Sequence, residues 1–274
     1  MKNLVYTAII ICMTAFGMAC DPIIDSRDVG VLVTSADQIQ ASVTPVVVNG
    51  KKTNKVTMSC SSPVLCQWTD GVNTLSNNDA EMTLLIQGKQ TITLNALAAD
   101  GTVFQKTFDV EVEDMYFPVP PEYGYFCGAG EKVWTWAEAN CFGNGGDSDA
   151  GPAWWILQPS DMAEQCSGKN LPADGLGASM KFILSGKQMI KTSADGAVFS
   201  GKFDFDMSTG KAGWSIGTLT VTNTNILCGY DFNAENFTPW NVYHIIRLDE
   251  NTLVLGAQEH APNSNYWYWV FKAL

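Results

Sequence analysis

Two histidines, His244 and His260, are the only imidazoles in a chain of 274 residues. A hydrolase needs a positioned acid and base, or a nucleophile with a base beside it. His244 stands in "NVYHIIRL", alternating with Val242 and Ile246 as a packed or edge strand residue does, and His260 stands in the loop "EHAPNSN". Neither G-x-S-x-G nor H-E-x-x-H occurs. Asp204 and Asp206 in "GKFDFDM" share a strand face about 7 Å apart, a separation that serves glycoside cleavage and that a solvated alternating face produces equally. "GNGGDSDAG" resembles half a calcium loop, with Asp147 and Asp149 in the place of oxygen ligands, but it lacks the closing Glu at the required distance, so the stretch reads as a polar turn. No C-x-x-C pair and no His beside a Cys offers a zinc site. No catalytic residue, metal or cofactor is expected.

Aromatic residues carry the stronger signal. Eight of the nine Trp lie beyond residue 126. Trp134 and Trp136 are two apart and share a strand face, a Gly/Asp loop follows, and then come Trp154 and Trp155. "YWYWVF" sorts into Trp267, Trp269 and Phe271 on one face and Tyr266, Tyr268 and Val270 on the other, one of which must be core. One domain that left eight indoles on its surface would aggregate. About five are therefore expected inside, with two or three left for a site. A pyranose ring presents apolar C–H faces, which suits stacking on exposed rings. The candidate ligand-binding residues are Trp134, Trp136, Trp154, Trp240, Trp267 and Trp269, with Asn144, Asp147, Asn241 and Asn263 reading hydroxyls from neighbouring loops.

The elements that must hold these residues are strands. From 29 to 114, short alternating segments such as "KVTMSC", "QTITLNAL" and "KTFDVEVED" recur at sandwich-like spacing, with a hairpin signal at Ala99-Asp100-Gly101. The stretch 115–125, "MYFPVPPEYGY", carries Pro118, Pro120 and Pro121 and reads as an extended, stiff linker. Residues 126–274 contain about eight further strands with tight turns, which predict an antiparallel sandwich of jelly-roll type or an up-and-down barrel. The fold class expected is all-β in two modules.

Net charge is -12, from 16 Lys plus Arg against 28 Asp plus Glu. Such a chain repels phosphate backbones, so nucleic acid and anionic lipid are poor partners and a neutral ligand suits it best. "MKNLVYTAIIICMTAFGMAC" begins with a positive residue and continues with an apolar run too short to span a ~30 Å hydrocarbon core comfortably, as a secretory signal does. Residues 1–19 are read as that signal and 20–28 as a tether. Six cysteines then remain besides Cys20. Cys60 and Cys66 close a small loop if they face each other across a hairpin, and the other four allow three pairings. Buried free thiols are the alternative.

Several stretches carry resemblances. "GMAC" resembles a bacterial lipobox, with Gly17 where Leu is usual, which implies lipidation of Cys20. "DPIIDSRD" resembles the export tether of surface lipoproteins of the Bacteroidetes, implying an outer-membrane, cell-surface location with a lipid anchor. "CQWTDGVNTLSNNDA" with "GKQTITLNALAADGTVFQKTFDVEV" resembles a PKD or related immunoglobulin-like module, which implies a core role for Trp68 and often a spacer function. "IIRLDENTLVL" resembles, loosely, the lipocalin-like and sandwich modules of such lipoproteins. The layout is similar to that of surface glycan-binding proteins, implying a non-catalytic lipoprotein that captures polysaccharide or oligosaccharide, with an outer-membrane transport complex as protein partner. The alternatives are a lipocalin-like barrel around a small apolar ligand and a β-sandwich glycoside hydrolase.

Overall fold

The computed structural model describes residues 32–261 and 265–274, and these form two hydrophobic cores. The stretches read as a signal (1–19) and a tether (20–28), with Cys20, lie outside the described residues, as does Asn263.

The first core lies between two antiparallel sheets. Strands β1 (Ala41–Val48), β2 (Lys51–Cys60) and β5 (Asp79–Thr83) pair in the order β1-β2-β5. Strands β3 (Leu65–Thr69), β4 (Thr74–Leu75), β6 (Gly88–Leu97) and β7 (Val103–Val112) pair in the order β4-β3-β6-β7. Val56, Met58 and Cys60 all face the core, as the alternation in "KVTMSC" requires. Trp68 is fully buried, and its indole N–H donates to the Asn77 carbonyl at 3.0 Å. Gly101 turns the β6–β7 hairpin with φ 87°, where a residue without Cβ is unstrained.

The segment 115–125 departs from the extended path expected of it. The buried amide of Asn54 holds Phe117 at both backbone groups, donating to its carbonyl and accepting from its N–H. Pro121 then opens a short helix, Pro121–Cys127, at the position where a missing N–H costs nothing. Tyr123 of that helix packs on Phe205 with ring centres 4.9 Å apart. Val72 and Ile86 of the first module pack against the second core, and Gly186 N–H donates to the Gly71 carbonyl at 2.8 Å.

The second core is the inside of a closed barrel. Its eight strands are β8 (Glu131–Trp136), β11 (Ser179–Ile183), β12 (Gln188–Thr192), β13 (Val198–Asp206), β14 (Gly217–Thr222), β15 (Val242–Leu248), β16 (Thr252–Gln258) and β17 (Tyr266–Ala273). Each is antiparallel to its neighbour, and β17 returns to β8 with Phe271 opposite Trp136 and Ala273 opposite Trp134. Of the two expected architectures, the up-and-down barrel is therefore the one found, and the jelly-roll is not. The earlier half of β17 pairs instead with β9 (Phe142–Gly145), which carries β10 (Ile156–Leu157) as a flap. Eight strands enclose just enough room for side chains to meet. Here Trp134, Phe182, Phe203, Tyr243, Leu255, Trp269 and Phe271 fill it.

Candidate functional site

Five of the six indoles named as candidate ligand-binding residues face inward. Trp134, Trp136, Trp240, Trp267 and Trp269 are all buried, and each indole N–H has an acceptor. Trp134 donates to Phe126 O, Trp136 to Asp174 Oδ1, Trp240 to Gln258 O, Trp267 to Asp231 Oδ1 and Trp269 to Cys228 O, at 2.7–3.1 Å. Buried rings with satisfied N–H groups are core, so a sugar-stacking role for these five is withdrawn. The face of β17 expected to be open is closed as well. Tyr266 and Tyr268 are buried beneath Trp214 and the loop 145–150 on the outer wall of the barrel.

Two indoles are exposed, and they are neighbours. Trp154 is 60% exposed and Trp155 38%, at the head of β10. Asn144 serves as their scaffold. Its carbonyl accepts from the Ala153 and Trp154 N–H groups at 3.0 Å, and its Oδ1 accepts from Trp155 N–H at 3.1 Å. A Cβ on Gly143 would lie 1.9 Å from the Trp155 carbonyl oxygen, so the close approach of β10 requires glycine there. The adjoining loop is tied down at three further points. Asp149 Oδ2 accepts from Gly146 N–H at 2.7 Å, Trp214 Nε1 donates to Asp149 O at 2.9 Å, and the Tyr268 hydroxyl donates to Gly146 O. Asp147 stands exposed on this loop. The arrangement is preorganised, which lowers the ordering cost of binding.

Trp155 leads inward to a cluster that sequence reasoning missed. Its ring meets Trp267 edge-on at 5.9 Å and Phe232 at 6.2 Å. Trp267 donates to Asp231, whose side chain is fully buried at the barrel end. Asp231 Oδ1 also accepts from Asn233 N–H at 3.0 Å. Asp231 Oδ2 accepts from His260 N–H at 2.8 Å and lies 3.0 Å from His260 Nδ1. The imidazole stacks on Trp240, with centres 4.9 Å apart and planes 25° apart. Beside it, buried Glu259 accepts from Asn233 Nδ2 at 2.8 Å and from Asn265 Nδ2 at 3.4 Å. Asp231 and His260 are 29 positions apart, with β15 and β16 between them, and no motif marks either. Asn241 is exposed next to Trp240, and its carbonyl is taken by Val221 N–H at 2.8 Å.

The other polar candidates have structural work. Asp204 pairs with Lys187 at 2.7 Å, and Asp206 Oδ1 accepts from Ser208 N–H at 2.8 Å at the start of a 3-10 turn. His244 sits on the outer wall against Trp214, with ring centres 4.8 Å apart, and its Nδ1 is buried without a hydrogen bond. Burial, and then the charge of Lys211, lower its pKa. Cys60, Cys66, Cys127, Cys141, Cys166 and Cys228 are buried free thiols. Among the described residues no three His, Cys, Asp or Glu side chains converge as metal ligands would.

Comparison with models of known protein families and with curated proteins finds no match to this chain.

Proposed function

We propose that the protein is an outer-membrane-anchored, non-catalytic lipoprotein that captures neutral polysaccharide through Trp154 and Trp155. The observation that carries this reading is the pair of exposed indoles on a hairpin clamped by Asn144, Gly143 and Asp149. Large apolar rings left in water at a rigid position favour a ligand with a flat apolar face. One sugar face covering roughly 60–80 Å² of apolar area contributes about 1.5–2 kcal/mol. Two such contacts give about 3–4 kcal/mol gross, and, less part of the association cost, the affinity is weaker than millimolar, on the order of ten millimolar. Asp147 is free to read hydroxyls beside Trp154, and a neutral glycan is indifferent to a net charge of -12.

In this reading the first module is an immunoglobulin-like, PKD-type spacer. The three-plus-four strand arrangement with Trp68 in its core supports that assignment. The closed barrel favours a second reading, a lipocalin-like carrier of a small apolar ligand. Interior rings in mutual contact, such as Phe142 on Trp267 at 5.1 Å and Trp136 on Phe271 at 4.9 Å, rank that reading lower.

Intrinsic fluorescence titrated against a panel of neutral polysaccharides tests the proposal. Saturable quenching or a spectral shift that disappears in W154A and W155A supports it. Silence with every glycan, together with tight binding of an apolar probe, overturns it in favour of the carrier.

A further inference from the structure

We propose that His260 is locked by Asp231 as a hydrogen-bond acceptor whose free Nε2 receives a hydroxyl of the captured ligand at the barrel end. The proposal rests on the glycan reading and names the polar half of the same site. Three of the groups that meet Asp231 are N–H donors with nothing to accept: Trp267 Nε1, Asn233 N and His260 N. Both carboxylate oxygens are therefore acceptors, and the proton between Asp231 Oδ2 and His260 Nδ1 belongs to the imidazole. A neutral imidazole protonated at Nδ1 carries its lone pair on Nε2.

Among the described residues Nε2 has no hydrogen-bond partner and is not among the buried unpaired atoms. The His260 side chain is 35% exposed, and among the described residues its hydrogen bonds run through its backbone N–H and Nδ1. The one buried side-chain polar atom without a partner among the described residues is on His244 and not here. Trp240 backs the ring in a near-parallel stack, so the direction of Nε2 is fixed from two sides. Trp155 reaches the same end of the barrel through Trp267, the indole that holds Asp231. Contacts of 5.9, 3.0 and 3.0 Å link Trp155 to Trp267, Trp267 to Asp231 and Asp231 to His260, so the proposal requires a ligand longer than one sugar ring, stacked on Trp155 and extending past the buried Trp267 and Asp231 to Nε2. Two buried carboxylates nearby, Asp231 and Glu259, disfavour an anionic ligand, and a neutral hydroxyl supplies the proton Nε2 lacks.

The test is nitrogen-15 NMR of imidazole-labelled full-length protein, joined to glycan titration. Only two histidines contribute signals, so H244F assigns them by difference. The expected spectrum of the neutral imidazole, recorded on the alkaline side of its titration, has the His260 proton on Nδ1 and an unprotonated Nε2 whose resonance moves on saturation with a binding glycan. H260F, which keeps the stack on Trp240, should bind about fivefold more weakly, the loss of one neutral hydrogen bond. A proton found on Nε2, or an Nε2 resonance unmoved at saturation, overturns the proposal in the unaltered protein whether or not H260F folds. Glycan binding that needs Trp155 yet is unchanged in folded H260F overturns it while leaving the glycan reading intact. If no glycan binds, the glycan reading fails and the ligand half of this proposal goes with it, whichever tautomer is found.

Discussion

Cys166 Sγ lies 3.7 Å from Cys228 Sγ, joining the short helix Met162–Gly168 to the loop that ends the barrel. Both thiols are buried, and burial, with Cys166 adding to it, raises the Cys228 thiol far above its ordinary pKa. The thiolate is the attacking species, so exchange with oxidised glutathione should be slow in the folded protein and fast during refolding. One glutathione disulfide is consumed and two glutathione thiols are released. The cross-link closes a 62-residue separation and should stabilise by up to about 4 kcal/mol on the chain-entropy account. Peptide mapping without reductant checks the pairing. Refolding in oxidant that never links these two peptides refutes it.

Asp174 supplies a pH signature. Its buried carboxyl accepts from Trp136 Nε1, Gly175 N and Cys228 N, all three of which favour the charged form. Burial outweighs them and raises its pKa from 3.8 to about 6. The folded state therefore holds a proton that the unfolded chain has released, and stability falls as pH rises from about 4 through about 6. The loss is on the order of 3 kcal/mol. Urea unfolding across that range should show the decline in the natural chain and a flatter profile in D174N, which should be less stable because the amide turns a donor toward Cys228 N–H. Equal slopes in the two proteins would sink the assignment.

Alternation was readable wherever a strand has one wet face. Val56, Met58 and Cys60, and Phe203 against Asp204, point where period two puts them. Closure was not readable, because the same alternation serves a sandwich, and what makes a barrel is one pairing of β17 with β8 across 135 to 139 positions. The outward-facing indoles were equally hidden. Trp267 and Tyr268 both read as strand residues, and both faces became interior once the loop around Asp149 folded over the outer wall. Trp154 and Trp155 stayed outside because Gly143 and Asn144 fix the path of the flap, a matter of close approach that composition does not express. Asp231 and His260 meet only through the chain's return along β15 and β16.

Substitution of single indoles separates structure from recognition. Trp269 is fully buried, with Trp240 and Tyr243 edge-on at 5.3 and 5.4 Å, so W269A should cost about 3–5 kcal/mol. Trp154 is mostly in water, and W154A should alter stability by no more than ~0.5 kcal/mol. Denaturant melts of both variants, run beside glycan titration, check this. A strongly destabilised W154A that still binds glycan would reverse the two roles.

His244 gives the opposite pH slope to Asp174. Burial, then Lys211, lowers its folded pKa below the unfolded value of 6.5, so the unfolded chain takes up the proton first. Stability is then lost as pH falls below about 6.5. His244 Nδ1 has no partner, so H244F should raise stability by about 1 kcal/mol and remove this acid-side loss. Thermal melts at pH 5 and pH 8 measure both effects. A variant that keeps the full acid-side loss would place its origin elsewhere.

Gly143 offers the sharpest link between backbone and recognition. A methyl there would stand 1.9 Å from Trp155 O and 3.1 Å from Pro152 Cβ, distances that no side-chain rotation relieves, because the nearest clash is with backbone. Either β9 or the flap must move, and the Trp155 carbonyl must give up the hydrogen bond from Asn144 N–H. Both exposed indoles hang from that flap, whereas the barrel interior closes through β17 and β8 without it. G143A should therefore abolish glycan binding as completely as W154A and W155A combined. Its core should stay folded, with near-ultraviolet circular dichroism from the buried indoles largely retained. Binding that survives G143A would mean that the clamped geometry of the hairpin contributes nothing to recognition.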